Sequence, residues 1–160
     1  MIWFLKVATI AVGIILVIAF ASIPILNHIA SVAKKSQVQI NNQIIIVEVV
    51  SSPEDIEMGL SGRDAIGINE GMLFIFAEKN HHMFWMKDMK FPIDIIWISG
   101  NLIVGVEEGL MPEIGVPDHR LTIYVPLLPV DKVLEVMAGR ADILQAKIGD
   151  KVMVRSIMSF

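Results

Sequence analysis

Twenty consecutive residues, Val7–Leu26, carry no charge and are mostly Ile, Val, Ala and Leu. That run divides the chain before any other pattern is considered. At about 1.5 Å per residue a helix of this length spans about 30 Å, the depth of a bilayer's hydrocarbon core. Trp3 and Phe4 stand ahead of it, where aromatic rings favour the interface, and Lys6 immediately precedes it. Pro24, Asn27 and His28 mark its far end. Residues 1–26 are therefore expected to form a transmembrane anchor. A cleaved secretory signal is the alternative, with Lys6, the apolar stretch Val7–Ile18 and the small residues of Ala19-Phe20-Ala21 before Ser22. The continuation through Ile23, Ile25 and Leu26 favours retention. For orientation, Lys6 and the terminal amine are nearly balanced by Lys34 and Lys35. The C-terminal domain is expected outside the cytoplasm, the side on which the anchor and signal readings agree, held by a single span or, after cleavage, secreted or periplasmic.

The remaining composition narrows the classes. The chain is 54% hydrophobic with mean hydropathy +0.65, above the roughly 45–50% of an ordinary soluble domain, which excludes intrinsic disorder. Cysteine is absent, which excludes disulfides, thiolate catalysis, iron–sulfur clusters, cysteine-ligated zinc and lipoprotein acylation. Beyond residue 35 ten basic residues face seventeen acidic ones, a formal charge of −7. A nucleic-acid surface is basic, so nucleic acid is not an expected partner.

Residues 27–37 read as a linker, and 38–160 as a single soluble domain. Val38–Asn42 and Gln43–Ser51 have strand character, the second apolar on both faces as in an inner strand. Ser52-Pro53-Glu54-Asp55 combines a capping Ser, Pro at the first helical position and acids in the first turn, predicting a helix to about Leu60 that stops at Ser61-Gly62. Gly71–Ala77 and Met83–Met86 read as buried strands. Ile93–Ile98, the turn Ser99-Gly100-Asn101 and the alternation of Leu102, Val104 and Val106 predict a hairpin starting just after Pro92. Residues 109–120 form a loop. Leu121, Ile123, Val125 and Leu127 predict an edge-like strand, and Leu134/Val136 another. Ala141–Ile148 predicts a short helix and Lys151–Ile157 the last strand. Strands dominate without regular β-α-β alternation. The expected class is α+β, mostly β: a barrel-like mixed β domain with one or two short helices, preceded by the transmembrane helix.

Catalytic signatures fail one by one. There is no phosphate-cradling Gly-rich loop and no His-Glu-x-x-His helix. Gly59-Leu60-Ser61-Gly62 approaches a nucleophile elbow, but Arg63 stands where a second Gly is needed, and helix termination explains it better. Glu107 and Glu108 are adjacent, so in a strand they face opposite ways and do not form an acid/base pair. The segment His81-His82-Met83-Phe84-Trp85-Met86-Lys87-Asp88-Met89 has the soft donors that suit Cu(I) outside the cytoplasm: His81, His82, Met83, Met86 and Met89. Core packing is the competing explanation, because a strand would split these donors between two faces. Asp94 lies between Ile93 and Ile95-Ile96-Trp97, where a carboxylate is costly unless paired or hydrogen-bonded. It is expected either to bond nearby backbone amides or to pair with Arg63 or Lys87 and line a polar pocket.

Three ordered blocks carry a family resemblance: Met58–Arg63 (MGLSGR), Glu70–Phe76 (EGMLFIF) and Phe84–Ile95 (FWMKDMKFPIDI). With Val133-Leu134-Glu135-Val136, Ala138-Gly139 and Ile148–Val152 (IGDKV), they make residues 40–155 resemble the domain of unknown function 192 family. The resemblance implies a compact β-rich α+β domain, often exported or membrane-tethered, with no established activity. Many members carry Asn-Thr at the positions of Asp88-Met89, so Asp88 adds a negative charge here. The pattern does not require His81-His82 or Met83, which weakens the copper reading.

Together these observations predict a membrane-anchored extracytoplasmic domain that binds a small molecule or a partner protein, with no catalytic residue and no cofactor assigned. Trp85 and Met86 are expected to supply apolar surface, and Arg63, Lys87 and Asp94 to orient a polar group. The alternatives are the copper-handling module and a hydrolase using Asp94 with His82 or His119.

Overall fold

The longest fully buried run of the sequence becomes the strand around which the rest is arranged. The computed structural model describes residues 34–157; the expected anchor, Trp3, Phe4, Lys6 and the first part of the linker lie outside them. Among the described residues no helix is long and apolar enough to cross a membrane. Strands β1 (Lys34–Ile40), β2 (Gln43–Val50), β3 (Glu70–Asn80), β4 (Ile93–Ser99), β5 (Leu102–Leu110), β6 (Val130–Met137) and β7 (Val152–Ser156) form one sheet in the order β5-β4-β6-β3-β2-β1-β7. Only β2 and β3 pair in parallel, and the helix α1 (Pro53–Met58) supplies the crossover such a pair needs. All other neighbours are antiparallel.

The sheet curls into a half-barrel whose edge strands meet at one end. There Leu102 bridges Lys151, and Gly149 N, Ile103 N and Val152 N donate to Ile103 O, Asp150 O and Asn101 O at 2.8–2.9 Å. Each strand has one side chain set on each face. On one face Val38, Ile45, Leu73, Ile96, Ile103, Leu134 and Val152, one from each strand, form a core closed by Ala141 and Leu144 of the short helix α2 (Arg140–Ile143) and its end. On the other, Met72, Phe74, Ile93, Ile95, Trp97 and Val133 pack against Leu60 and the residues Phe84, Met86, Met89 and Phe91. Two cores on two sides of one sheet explain why β4 is apolar along nearly its whole length.

The helix signals hold: Ser52 Oγ accepts from Asp55 N at 3.2 Å, Pro53 opens α1, and Gly59 ends it at φ +51°. Other boundaries move. β1 starts at Lys34, inside the expected linker, because its pairing with β2 runs back to Lys34↔Val49 and Ser36 is held between β2 and β7. Met83–Met86 and Leu121–Leu127 are not strands. They share a single bridge, Phe84↔Tyr124, with two 2.9 Å backbone bonds. The alternation at 121–127 misled because its apolar set faces outward: Ile123, Val125 and Leu127 are exposed, while Tyr124 and Pro126 turn inward. The expected helix 141–148 stops at Ile143, and Gln145 takes φ +53° soon after.

Candidate functional site

Glu135 lies in the middle of β6, directly between Met72 of β3 and Ile95 of β4. Alternation puts it on the face of Val133, under the loops rather than inside the half-barrel. It is buried, and its Oε2 has no hydrogen-bond partner. Burial in these apolar surroundings pushes its carboxyl up from 4.5 to about 8. Native proteins pair nearly all buried polar groups, so such an orphan needs an explanation.

Above the carboxyl is a cavity of about 330 Å³. Its walls are Ile56 and Met58 of α1, Leu60, Phe74 and Phe76 of β3, and Met83–Trp85 with Met89. Phe84 is fixed edge-on to Phe74 and Trp97, with ring centroids 5.0 and 5.5 Å apart. His82 stacks on Phe76 at 3.5 Å, its Nε2 3.2 Å from Glu78 O. The loop walls are tied together by Ser61 Oγ donating to Lys87 O and Gly62 N donating to Asp88 O, each at 2.9 Å. The mouth continues into a shallow groove lined by Glu54, Glu57, Met58, Ser61, Trp85, Lys87 and Asp88. An apolar hollow of this size with one polar group at its base is the usual form of a small-molecule site.

The structure brings together only part of the residue set expected from sequence. Trp85 lines both cavity and groove and is 40% exposed. Lys87 lines the groove, its Nζ 2.8 Å from Asp118 Oδ2, and that hydrogen bond raises its pKa. Met86 is enclosed in the core. Arg63 lines a separate polar recess of about 160 Å³, with NH1 2.7 Å from Glu48 Oε2; that hydrogen bond holds its pKa up. Asp94 is on the opposite face of β4, where Oδ1 accepts from Gly109 N at 2.8 Å and Oδ2 from Ala141 N at 2.9 Å. Of the two expectations for Asp94 the bonding to backbone amides is the one realised, and the pair with Arg63 or Lys87 is not formed, because both carboxylate oxygens are already satisfied. Nor does Asp94 meet the hydrolytic partners proposed for it: the sheet separates it from His82, and His119 is exposed in the 3-10 turn Asp118–Arg120.

The copper donors are dispersed in environment. His81 Nδ1 is 2.8 Å from Pro126 O, Met83 is exposed, and Met86 and Met89 are buried. Among the described residues no group of three or more His, Cys, Asp or Glu could hold a metal ion. The residue that sequence reasoning missed is Glu135, although its signal was visible: an acid between Val133-Leu134 and Val136-Met137 is the same anomaly that singled out Asp94.

Residues 36–154 match the model of the family DUF192, described as "Uncharacterized ACR". Among solved structures, a protein of Sinorhizobium meliloti 1021 described as a candidate transcription regulator is similar at 28% identity and TM-score 0.70, covering 78% of this chain and 98% of that one. A protein of unknown function from Novosphingobium aromaticivorans DSM 12444 is similar at 25% identity and TM-score 0.64, covering 74% of this chain and 83% of that one. None of the curated proteins compared with the chain matches it.

Proposed function

Because the chain belongs to the DUF192 family, for which no activity is established, function has to be argued from the site, and we propose that this is a non-catalytic binding domain whose ligand occupies the cavity above Glu135. The observation that carries this reading is the orphaned carboxyl at the base of an apolar hollow. A core carboxyl with no partner costs stability, and a bound polar group would relieve that cost. Trp85 closes the apolar wall, and Lys87 marks the rim. Arg63 and Asp94 support the loops and α2 rather than touch the ligand. The one hydroxyl of the wall, Ser61 Oγ, donates to the Lys87 carbonyl, which favours binding over catalysis.

The uncharged run Val7–Leu26 supports placing this domain on a membrane, and the side proposed is outside the cytoplasm, where the anchor and cleaved-signal readings agree. Protease treatment of intact cells is expected to degrade it, and full protection would reverse the orientation. For the ligand, the full chain is purified in mild detergent without chelator, in copper-replete and copper-free preparations, and weighed by native mass spectrometry. An organic adduct retained by the wild type and lost from Ile56→Trp, which fills the cavity, is the expected result. Copper retained in its place, and lost when Met83 and Met89 are changed, would move the assignment to the copper donors. A clean apo mass, with no response of the cavity residues to small apolar probes, would overturn the reading.

A further inference from the structure

The charges around the cavity are not evenly mixed. Glu54, Glu57 and Asp88 surround the groove at its mouth, and none of them is in an ion pair among the described residues. The one lysine there, Lys87, is engaged by Asp118. At the base is the carboxyl of Glu135, with Oε2 unbonded. Between mouth and base the wall is mainly apolar and aromatic, with Glu57, Ser61 and His82 its polar side chains and the half-exposed ring of Trp85 beside the acids.

We infer that the ligand of this cavity is an organic amine with a short apolar body, its ammonium group bonded to the Glu135 carboxylate. The inference rests on the cavity being the binding site. Acids at the mouth draw a cation in and disfavour an anion. The Trp85 face attracts a cation on its way past, and the apolar walls take the hydrocarbon body. At the base the ammonium supplies the donors that Oε2 lacks, giving a charge-assisted hydrogen bond in a dry site. A cavity of about 330 Å³ is at the small end of organic-ligand pockets, so the body is short.

The chemistry has a signature that other ligands do not share. The empty site holds Glu135 protonated up to about pH 8, so binding an ammonium below that pH expels one proton into solution. Affinity then rises with pH, by about 50-fold from pH 6 to pH 8, in proportion to the ionised fraction. A ligand that needs the protonated acid as its donor weakens instead, by about twofold over the same interval. The other titratable groups facing the cavity are Glu57 of α1 and His82. The strands beside Glu135 present Met72, Phe74, Phe76 and Ile95 to this side, none of which titrates.

The test uses the full chain in lipid nanodiscs, with methyl-labelled methionine as the reporter, because Met58, Met83 and Met89 line the cavity. Hexylammonium is titrated at pH 6, 7 and 8 beside hexan-1-ol and hexanoate. The expected result is movement of those three signals by hexylammonium, tighter at higher pH, with the pH dependence lost and binding weakened at least tenfold in Glu135→Gln. Movement by hexanol or hexanoate with equal or greater affinity, flat or falling with pH, would overturn the amine and leave the cavity as the site. No movement of these signals by any of the three probes would overturn both. The wild-type pH profile decides between the ligand classes even where Glu135→Gln fails to fold.

Discussion

Replacing Glu135 by leucine is expected to stabilise the protein, by an amount that depends on pH. The carboxyl titrates near 4.5 in an unfolded chain and near 8 in the fold. Between these values the folded state holds a proton that the unfolded state has released, so unfolding releases a proton and stability falls as pH rises. At about 1.4 kcal/mol per pH unit, the fold is weakened by about 3 kcal/mol at pH 7 relative to acid solution. The leucine variant would have no such dependence and would add apolar surface beside Met72 and Ile95. The stability difference between variant and wild type should therefore grow by about 3 kcal/mol from pH 4.5 to pH 7, on top of a pH-independent gain from the added apolar contact. Urea unfolding of the full chain in detergent, followed by tryptophan fluorescence, measures it. Comparing the two proteins at each pH cancels the titration of shared groups. A difference that stays constant from pH 4.5 to 7.5, or a variant weaker than wild type at both, would refute the claim that Glu135 is an unpaired acid in an apolar site.

Other perturbations separate structural from peripheral charges. Asp94→Ala strips two backbone amides, Gly109 N and Ala141 N, of their acceptor and should cost about 3 kcal/mol in urea unfolding. Gly71→Ala would put a Cβ 2.7 Å from Glu135 O of the neighbouring strand; overpacking there should cost about 2 kcal/mol and lower the melting temperature. Lys87→Ala breaks an exposed ion pair with Asp118 and should leave the urea midpoint at the wild-type value in high salt, with any small loss confined to low salt. Arg63→Ala, which breaks a partly exposed pair with Glu48, should cost no more than about 1 kcal/mol by the same measurement.

The parts of the fold legible in the sequence are those whose chemistry is local. Ser52-Pro53 marked the start of α1, and Ser99-Gly100-Asn101 the β4–β5 turn, because capping and turn geometry act within a few residues. The apolarity of both faces of β2 correctly marked an inner strand, now seen between β3 and β1. What failed depended on partners distant in sequence. Nothing near Leu121–Leu127 reveals that the inward face is Tyr124 and Pro126, since the bridge to Phe84 decides it. Trp85 and Lys87 line a groove, whereas Met86 between them turns into the core. Asp94 bonds backbone amides, the first of the two expectations for it, but those amides belong to Gly109 and Ala141, far from it in sequence. Glu135 carries the same anomaly, inside the block Val133-Leu134-Glu135-Val136, but only the cavity over it, built by α1 and the loop of Met83–Met89, gives it a role.

The pairing of β1 with β7 has a consequence for how the domain is made. Ser36 is opposite Ser156 and Ile40 opposite Val152, so β1, paired with β2 on one edge, gains its second neighbour only from the last strand. Until Val152–Ser156 has left the ribosome, β1 has an open edge and the core around Val38 lacks a wall. Contacts this far apart in sequence make folding slow and late. Closure of the core around Val38 is therefore expected to be the last step of folding, after the local β1–β2 and β4–β5 hairpins have formed.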